Sequence, residues 1–451
     1  ALIREIAFSA DGRLLATASE DGTAALVATA DGREIARLSH GSKVYSVMFD
    51  PLGDYLVTGS AGGPRVFDTA SGQQLARFAA GFQGLGLAFR PRAPTTLAWA
   101  DRDGNIRLFR DFHGFNVLRL ASSHSPRYFG VGPQGGTLAA VDEAGTLRLW
   151  TLPDAALIAE INGLNASSVH YSPDGEYLAA VRLGGRGTMV LLESRTGTTV
   201  SAVTGPILGA PPVFSGDSRF VVRRSVGESG MRTFLYDLKS RDGWKELPGN
   251  GFPTFSTDGR FLLTRRGYSA SGREYAAAWN IATEQEVARI PIEVSLGWVE
   301  FGPHLRYLAR GRAHHGEISL EDVHTGAAIA TIRHDAHAWA QFSPDGRFVA
   351  TASEDGSVAL LDAASGKTIV RYTEPDGLHT LIFSSDSRHL GTVTQDGHAR
   401  LLACETGHLL SRFRLRPSAS DSGLFDIVFS PANQFVAFGR WDGDARLLAT
   451  A

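Results

Sequence analysis

The chain is poor in cysteine, lysine and long apolar runs, and each shortage removes a class of explanation. Cys404 is the only cysteine among 451 residues, so an intrachain disulfide is impossible and a cysteine-based zinc site is excluded. A single thiol fits a reducing compartment, and a cytoplasmic location is expected. No apolar run approaches the roughly 18 residues that a membrane helix needs, and no charged-then-apolar leader precedes the first strand-like stretch. The chain opens at Ala1, without a methionine and in mid-pattern, so a further upstream flank is expected. Lysine occurs only at Lys43, Lys239, Lys245 and Lys367. Nearly all basic charge is therefore arginine, a bias that reads as codon usage in a GC-rich genome rather than as function. The formal net charge of -3 gives no general pull toward nucleic acid.

What the chain does have is a beat. An aromatic or apolar residue before a Ser-Pro-Asp-Gly-like turn recurs at Phe8, Phe49, Phe89, Val131, Tyr171, Phe214, Phe255, Phe301, Phe342, Phe383 and Phe429. Steps of 40 to 46 residues match the length of a four-stranded propeller blade. Residues 342–370 show the grammar best. Ser343-Pro344-Asp345-Gly346 is a turn in which Pro presets one φ and Gly supplies a positive one. A β-rich run, Phe348 to Ala352, follows. Glu354-Asp355-Gly356 turns the chain into a third strand at Val358 to Leu361, and Ser365-Gly366 leads into a fourth at Thr368 to Val370. The expected fold class is all-β, a β-propeller of about eleven four-stranded blades.

On these residues the chain resembles the WD-repeat propeller family in its bacterial type. The resemblance is strongest over residues 8–27, 140–150 and 342–370. It lies in the frame more than in the signature. Where the family's Trp-Asp closes the third strand, this chain has pairs such as Val27-Ala28, Phe67-Asp68, Trp150-Thr151, Tyr236-Asp237, Trp279-Asn280 and Leu361-Asp362. No unit carries both residues, and Trp441-Asp442 falls out of register. His40 matches the family's Gly-His position, with Ser39 in place of glycine. Most other units lack that histidine, so the family's buried His-Ser-Asp-Trp network is not expected as a rule, and blade stability should rest on apolar packing. Units five to seven, with endings such as Phe234-Leu235-Tyr236-Asp237, also resemble the propeller repeats beside bacterial peptidases and periplasmic translocation proteins.

Propellers usually close with four to eight blades, so eleven units leave two arrangements open. One is a continuous array over 1–451; the other is a seven-blade domain, 1–291, followed by four further blades, 292–451. The chain starts at a first strand and stops after a third, which favours an array that closes on itself.

Enzymatic motifs fail on context. Ser365-Gly366-Lys367-Thr368 has the tail of a phosphate-binding loop without its leading glycine or following helix, and reads as a hairpin turn. His334 and His337, with His314 and His315, have no acidic or cysteine partner at ligand spacing and read as polar rim. No Gly-x-Ser-x-Gly elbow exists, and Asn165-Ala166-Ser167 reads as an ordinary loop. No catalytic residue, metal or cofactor is expected.

One pattern stands out in the second hairpin of consecutive units. Units five to eight place there Arg182 and Arg186; Arg223, Arg224 and Arg232; Arg265, Arg266 and Arg273; and Arg310 and Arg312, against one acid, Glu228. The more regular units are acidic instead, with Glu20-Asp21, Asp142-Glu143, Glu354-Asp355 and Asp396. Arginine's planar fork suits carboxylate and phosphate, and clustering raises the local potential. The expected function is a non-catalytic protein-interaction scaffold or sensor within a larger bacterial signalling or regulatory protein, binding a partner with an acidic or phosphorylated segment and no membrane. One alternative is a propeller that gates substrate for a fused or associated hydrolase. Another is anionic-ligand or nucleic-acid binding, less favoured because only Tyr268 interleaves an aromatic with the arginines.

Overall fold

The computed structural model describes the chain apart from residues 1–2, 79–86, 90–96, 101–105, 110–116, 121–125, 153, 155, 183–186, 206–210, 228–229, 248–252, 257–258, 269–273, 284, 293–297, 312–315, 375–376, 395–396, 415–424, 441–444 and 451. Among the described residues there is no helix, and the strands form eleven antiparallel sheets. Ten have four strands in chain order and the last has three. We number them sheet 1 (residues 3–39), 2 (44–77), 3 (87–120), 4 (126–161), 5 (168–205), 6 (213–247), 7 (253–292), 8 (298–333), 9 (338–373), 10 (378–414) and 11 (425–449). The fold is all-β and built of propeller blades. Two compact units divide it: residues 7–248, and residues 249–451 together with the first six.

Local chemistry makes each blade. In sheet 9 the Ser343 hydroxyl donates to Asp345 at 2.7 Å and accepts the Phe348 N–H at 2.9 Å, and Gly346 takes φ 71°. The same Ser-x-Asp clasp closes the first hairpin at Ser9, Ser172, Ser215 and Ser384. Ser218 and Ser387 adopt positive φ where glycine would be the easy choice. Each hydroxyl accepts an N–H from the preceding sheet, Asp174 at 2.9 Å and Asp345 at 3.0 Å. At the last turn Asp362 accepts the Ser365 N–H and hydroxyl, which makes Ser365-Gly366 a hairpin turn and not a phosphate loop. The third and fourth strands slip register by one residue at the same place in many sheets, between Leu26 and Val27, Leu149 and Trp150, or Leu360 and Leu361. Such a bulge bends and twists the outer strand.

The core lies between sheets. Each buried cluster draws on two consecutive blades: Leu26 with Leu56 and Phe67, Leu149 with Leu178 and Leu192, Leu320 with Val349 and Leu361, Leu360 with Leu390 and Leu402. Small residues such as Ala16, Ala139, Ala179 and Ala350, all at 0 % exposure, let the sheets pack face to face. Each fully buried Leu contributes about 1.5–3 kcal/mol. These clusters supply the apolar packing on which blade stability was expected to rest.

Candidate interaction site

In sheets 2, 6, 9 and 10 the second strand sends its fourth residue into the seam facing the preceding sheet, and the chemistry at that position differs from seam to seam. Between sheets 1 and 2 it is Thr58, whose hydroxyl lies 2.6 Å from Nε2 of His40, while Nδ1 lies 2.9 Å from the Leu38 carbonyl. Burial drives the His40 pKa down to about 4, against the Leu38 hydrogen bond and with help from Arg65 and Arg77. Between sheets 8 and 9 it is Thr351, 3.0 Å from Nε2 of His334, whose Nδ1 meets the Ser357 hydroxyl at 2.5 Å. Ser357 in turn donates to Asp355 at 2.5 Å. Burial raises the Asp355 carboxyl, but hydrogen bonds from Ser357 and from the Asp335 N–H outweigh it, leaving a pKa of about 2.

His334 is therefore not a rim residue. It is 8 % exposed and holds a His-Ser-Asp network with Leu361 where the family's Trp would stand. His337, read with it as polar rim, lies 3.7 Å from Glu354. The signal was in the spacing: His334 stands four residues before Ala338, as His40 stands four before Val44. Gly316 makes room for it, because a Cβ there would overlap the His334 carbonyl.

Between sheets 9 and 10 a carboxylate replaces the histidine. Glu374, at 1 % exposure, follows the fourth strand of sheet 9 (Thr368–Thr373). It pairs with Nε of Arg400, and with Nη2 of Arg412 at 3.3 Å. Arg400 stacks on Tyr372, its carbon Cζ 4.2 Å from the ring centroid, and the Tyr372 hydroxyl lies 2.9 Å from that of Thr392, the fourth residue of this second strand.

Between sheets 5 and 6 the fourth residue is Arg223. The sequence reading placed Arg223 and Arg224 in a loop; they stand inside the second strand of sheet 6 (Phe220–Gly227), 7 % and 6 % exposed. The reason is strand length. This hairpin stays paired from Phe220 and Asp237 out to Gly227 and Gly230, eight residues a side against six in sheet 9. The Arg223 guanidinium lies over Phe234 at 4.4 Å and over Trp244 at 4.9 Å, and Trp244 donates to Ser201 of sheet 5 at 2.9 Å. Its Nε and Nη1 are sealed from solvent with no acceptor among the described residues. Burial holds its pKa below the usual guanidinium value.

The other arginines divide between the two units. In the first, Arg182 ends the second strand of sheet 5 (Tyr177–Arg182), exposed, and Arg232 pairs with Glu246 at 3.2 Å. Arg186 lies outside the described residues. In the second, Arg310 pairs with Glu321 at 2.7 Å. Arg265 and Arg266 sit in the strand Phe261–Tyr268 where the register slips between Thr264 and Gly267; their side chains, Arg273, Arg312, His314, His315 and Trp441-Asp442 lie outside the described residues. Of the acidic hairpins, Glu20 is taken by Lys43 at 2.6 Å and Asp142 by the buried Arg148 at 2.8 Å. Asp396 lies outside the described residues. Among the described residues no three His, Cys, Asp or Glu side chains gather as metal ligands.

The WD domain, G-beta repeat model matches residues 1–26, 32–68 and 324–362. At these three stretches the chain carries WD40 repeats. The matched stretches contain His40 and His334, and none of them includes the arginines of the second hairpins, Arg182 to Arg312. WD40 repeats generally mediate protein–protein interaction, and the family is generally non-catalytic. No curated protein matches the sequence. A solved structure described as the crystal structure of the eukaryotic initiation factor is similar to 74% of this chain and 88% of its own, at 17% identity and a TM-score of 0.48.

Proposed function

We propose that this protein is a non-catalytic interaction scaffold that captures an acidic segment of a protein partner with the arginines at the second hairpins of sheets 5 and 6, as part of a larger cytoplasmic signalling or regulatory protein. Short loops on stiff blades suit rigid presentation, with specificity carried by loop side chains. The observation that carries the reading is incomplete compensation. Arg232 has an acid in its own blade, while Arg182 and Arg223 make no ion pair among the described residues.

The test uses the exposed arginines, because reversing a buried one would unfold the blade. The full chain should bind a fluorescein-labelled poly-glutamate peptide, with anisotropy falling as salt rises. The variant Arg182→Glu, Arg232→Glu should lose that binding while keeping its unfolding midpoint, since single surface changes typically move stability by less than about 0.5 kcal/mol. Undiminished binding would remove the reading.

A further inference from the structure

The seams between sheets 9 and 10 and between sheets 5 and 6 can be superposed by register. Thr392 pairs with Arg400, and Arg223 pairs with Phe234, at the same step of the ladder. Both seams hold a guanidinium stacked on aromatic rings between two sheets. In the first, a carboxylate from the connection after the preceding sheet, Glu374, meets it. In the second, no acid occurs anywhere between Glu193 and Asp217. Glu246, opposite Phe234 in the register, is engaged by Arg232. Arg223 thus keeps a positive charge at 7 % exposure with Nε and Nη1 unbonded.

A guanidinium does not shed its proton in a protein, and a buried unpaired charge costs several kcal/mol, so folding alone does not account for this residue. Phe234 and Trp244 lie against the guanidinium. With Nε and Nη1 sealed, Nη2 is the nitrogen outside the sealed set, a charge-assisted donor of the kind arginine offers to oxyanions.

We propose that the seam between sheets 5 and 6 is a carboxylate slot completed in trans, in which Arg223 takes one Asp or Glu side chain of an acidic protein segment as Arg400 takes Glu374 within the chain. The proposal rests on the scaffold reading and names its anchor. A carboxylate is favoured over a phosphate because Arg223 carries one positive charge, which matches one negative charge, whereas a phosphate group carries about -1.5 to -2.

The experiment compares full-length wild type with Arg223→Met and Arg223→Lys by anisotropy with the poly-glutamate peptide and by thermal unfolding. Met fills the space between Phe234 and Trp244 without a charge. Its binding should weaken at least about tenfold while its unfolding midpoint stays level or rises, as expected when an uncompensated buried charge is removed. Lys keeps the charge without the fork and should weaken binding similarly. A purely structural arginine predicts the reverse: a lowered midpoint and unchanged affinity. Unchanged affinity in either variant overturns the slot, as does tighter binding of a phosphoserine peptide than of poly-glutamate. If the exposed-arginine variant loses binding and Arg223→Met does not, the slot fails and the scaffold stands; if neither loses it, both fail.

Discussion

The seam between sheets 9 and 10 buries a guanidinium and the carboxylate that answers it, whereas the seam between sheets 5 and 6 buries a guanidinium with no carboxylate partner among the described residues. Both seams share the same Ser-x-Asp clasp and the same link from the next blade's serine, Ser387 in one and Ser218 in the other. The difference therefore does not lie in the frame. It lies in one seam position, where the chain supplies histidine twice, glutamate once, and no acid beside Arg223. A repeat protein can vary that position independently because each blade touches only its neighbours.

The sharpest way to break the comparison is to make the complete seam incomplete. Glu374→Ala leaves Arg400, its side chain 14% exposed, and Arg412 facing each other without a carboxylate. Breaking a buried pair from one side typically costs about 3–5 kcal/mol, and a loss of that size is expected in the urea unfolding midpoint at unchanged slope. Arg223→Met should move the other way or not at all. If Glu374→Ala costs less than about 1 kcal/mol, the carboxylate is not what makes burial of Arg400 tolerable, and the contrast between the seams collapses.

This contrast was only half legible in the sequence. The blade period was readable because each turn is specified locally: Ser343, Asp345 and Gly346 close one hairpin within a few residues. The arginines were mis-sorted because charge was taken as a sign of loop. In sheets 6 and 7 the offset that carries Asp-Gly in the regular blades carries Gly227-Glu228 and Tyr268-Ser269 instead, and the strands run on to Gly227 and Tyr268. The aromatic sandwich around Arg223 was not readable at all, since Trp244 is held there by Ser201, 43 residues away in another blade. Asp355 looked like part of an acidic rim, yet its carboxylate is spent inside the His334 network. Spacing to the next strand start would have found that network; nothing local would have found the slot.

A second, smaller effect separates histidine seams from the glutamate seam by pH. The folded His40 pKa, about 4, lies below its ordinary value near 6.5, so the unfolded chain binds the proton more readily. The stability contributed by neutral His40 is therefore full above about pH 6.5 and is lost as pH falls from there toward 4. His40→Gln cannot titrate. The gap in thermal midpoint between wild type and His40→Gln should shrink steadily from pH 7 to pH 4, and a gap that is constant across that range would show that the ring is not held neutral by the seam.

The smallest effect tests the premise that the frame is shared. Ser218 and Ser387 hold φ 59° and 62°, a conformation that costs a non-glycine residue about 1–2 kcal/mol. Their hydroxyls return about 0.5–1.5 kcal/mol through the bond to the preceding sheet. Glycine at either position relieves the first, forfeits the second and adds about 0.5–1 kcal/mol of chain entropy. Ser218→Gly and Ser387→Gly should each shift stability by no more than about 1 kcal/mol, and by the same amount, in denaturant unfolding. Equal shifts confine the difference between the two seams to the charged pair. A disparity larger than about 1 kcal/mol would mean that the blades differ in their clasps as well, and that Arg223 and Arg400 cannot be compared position for position.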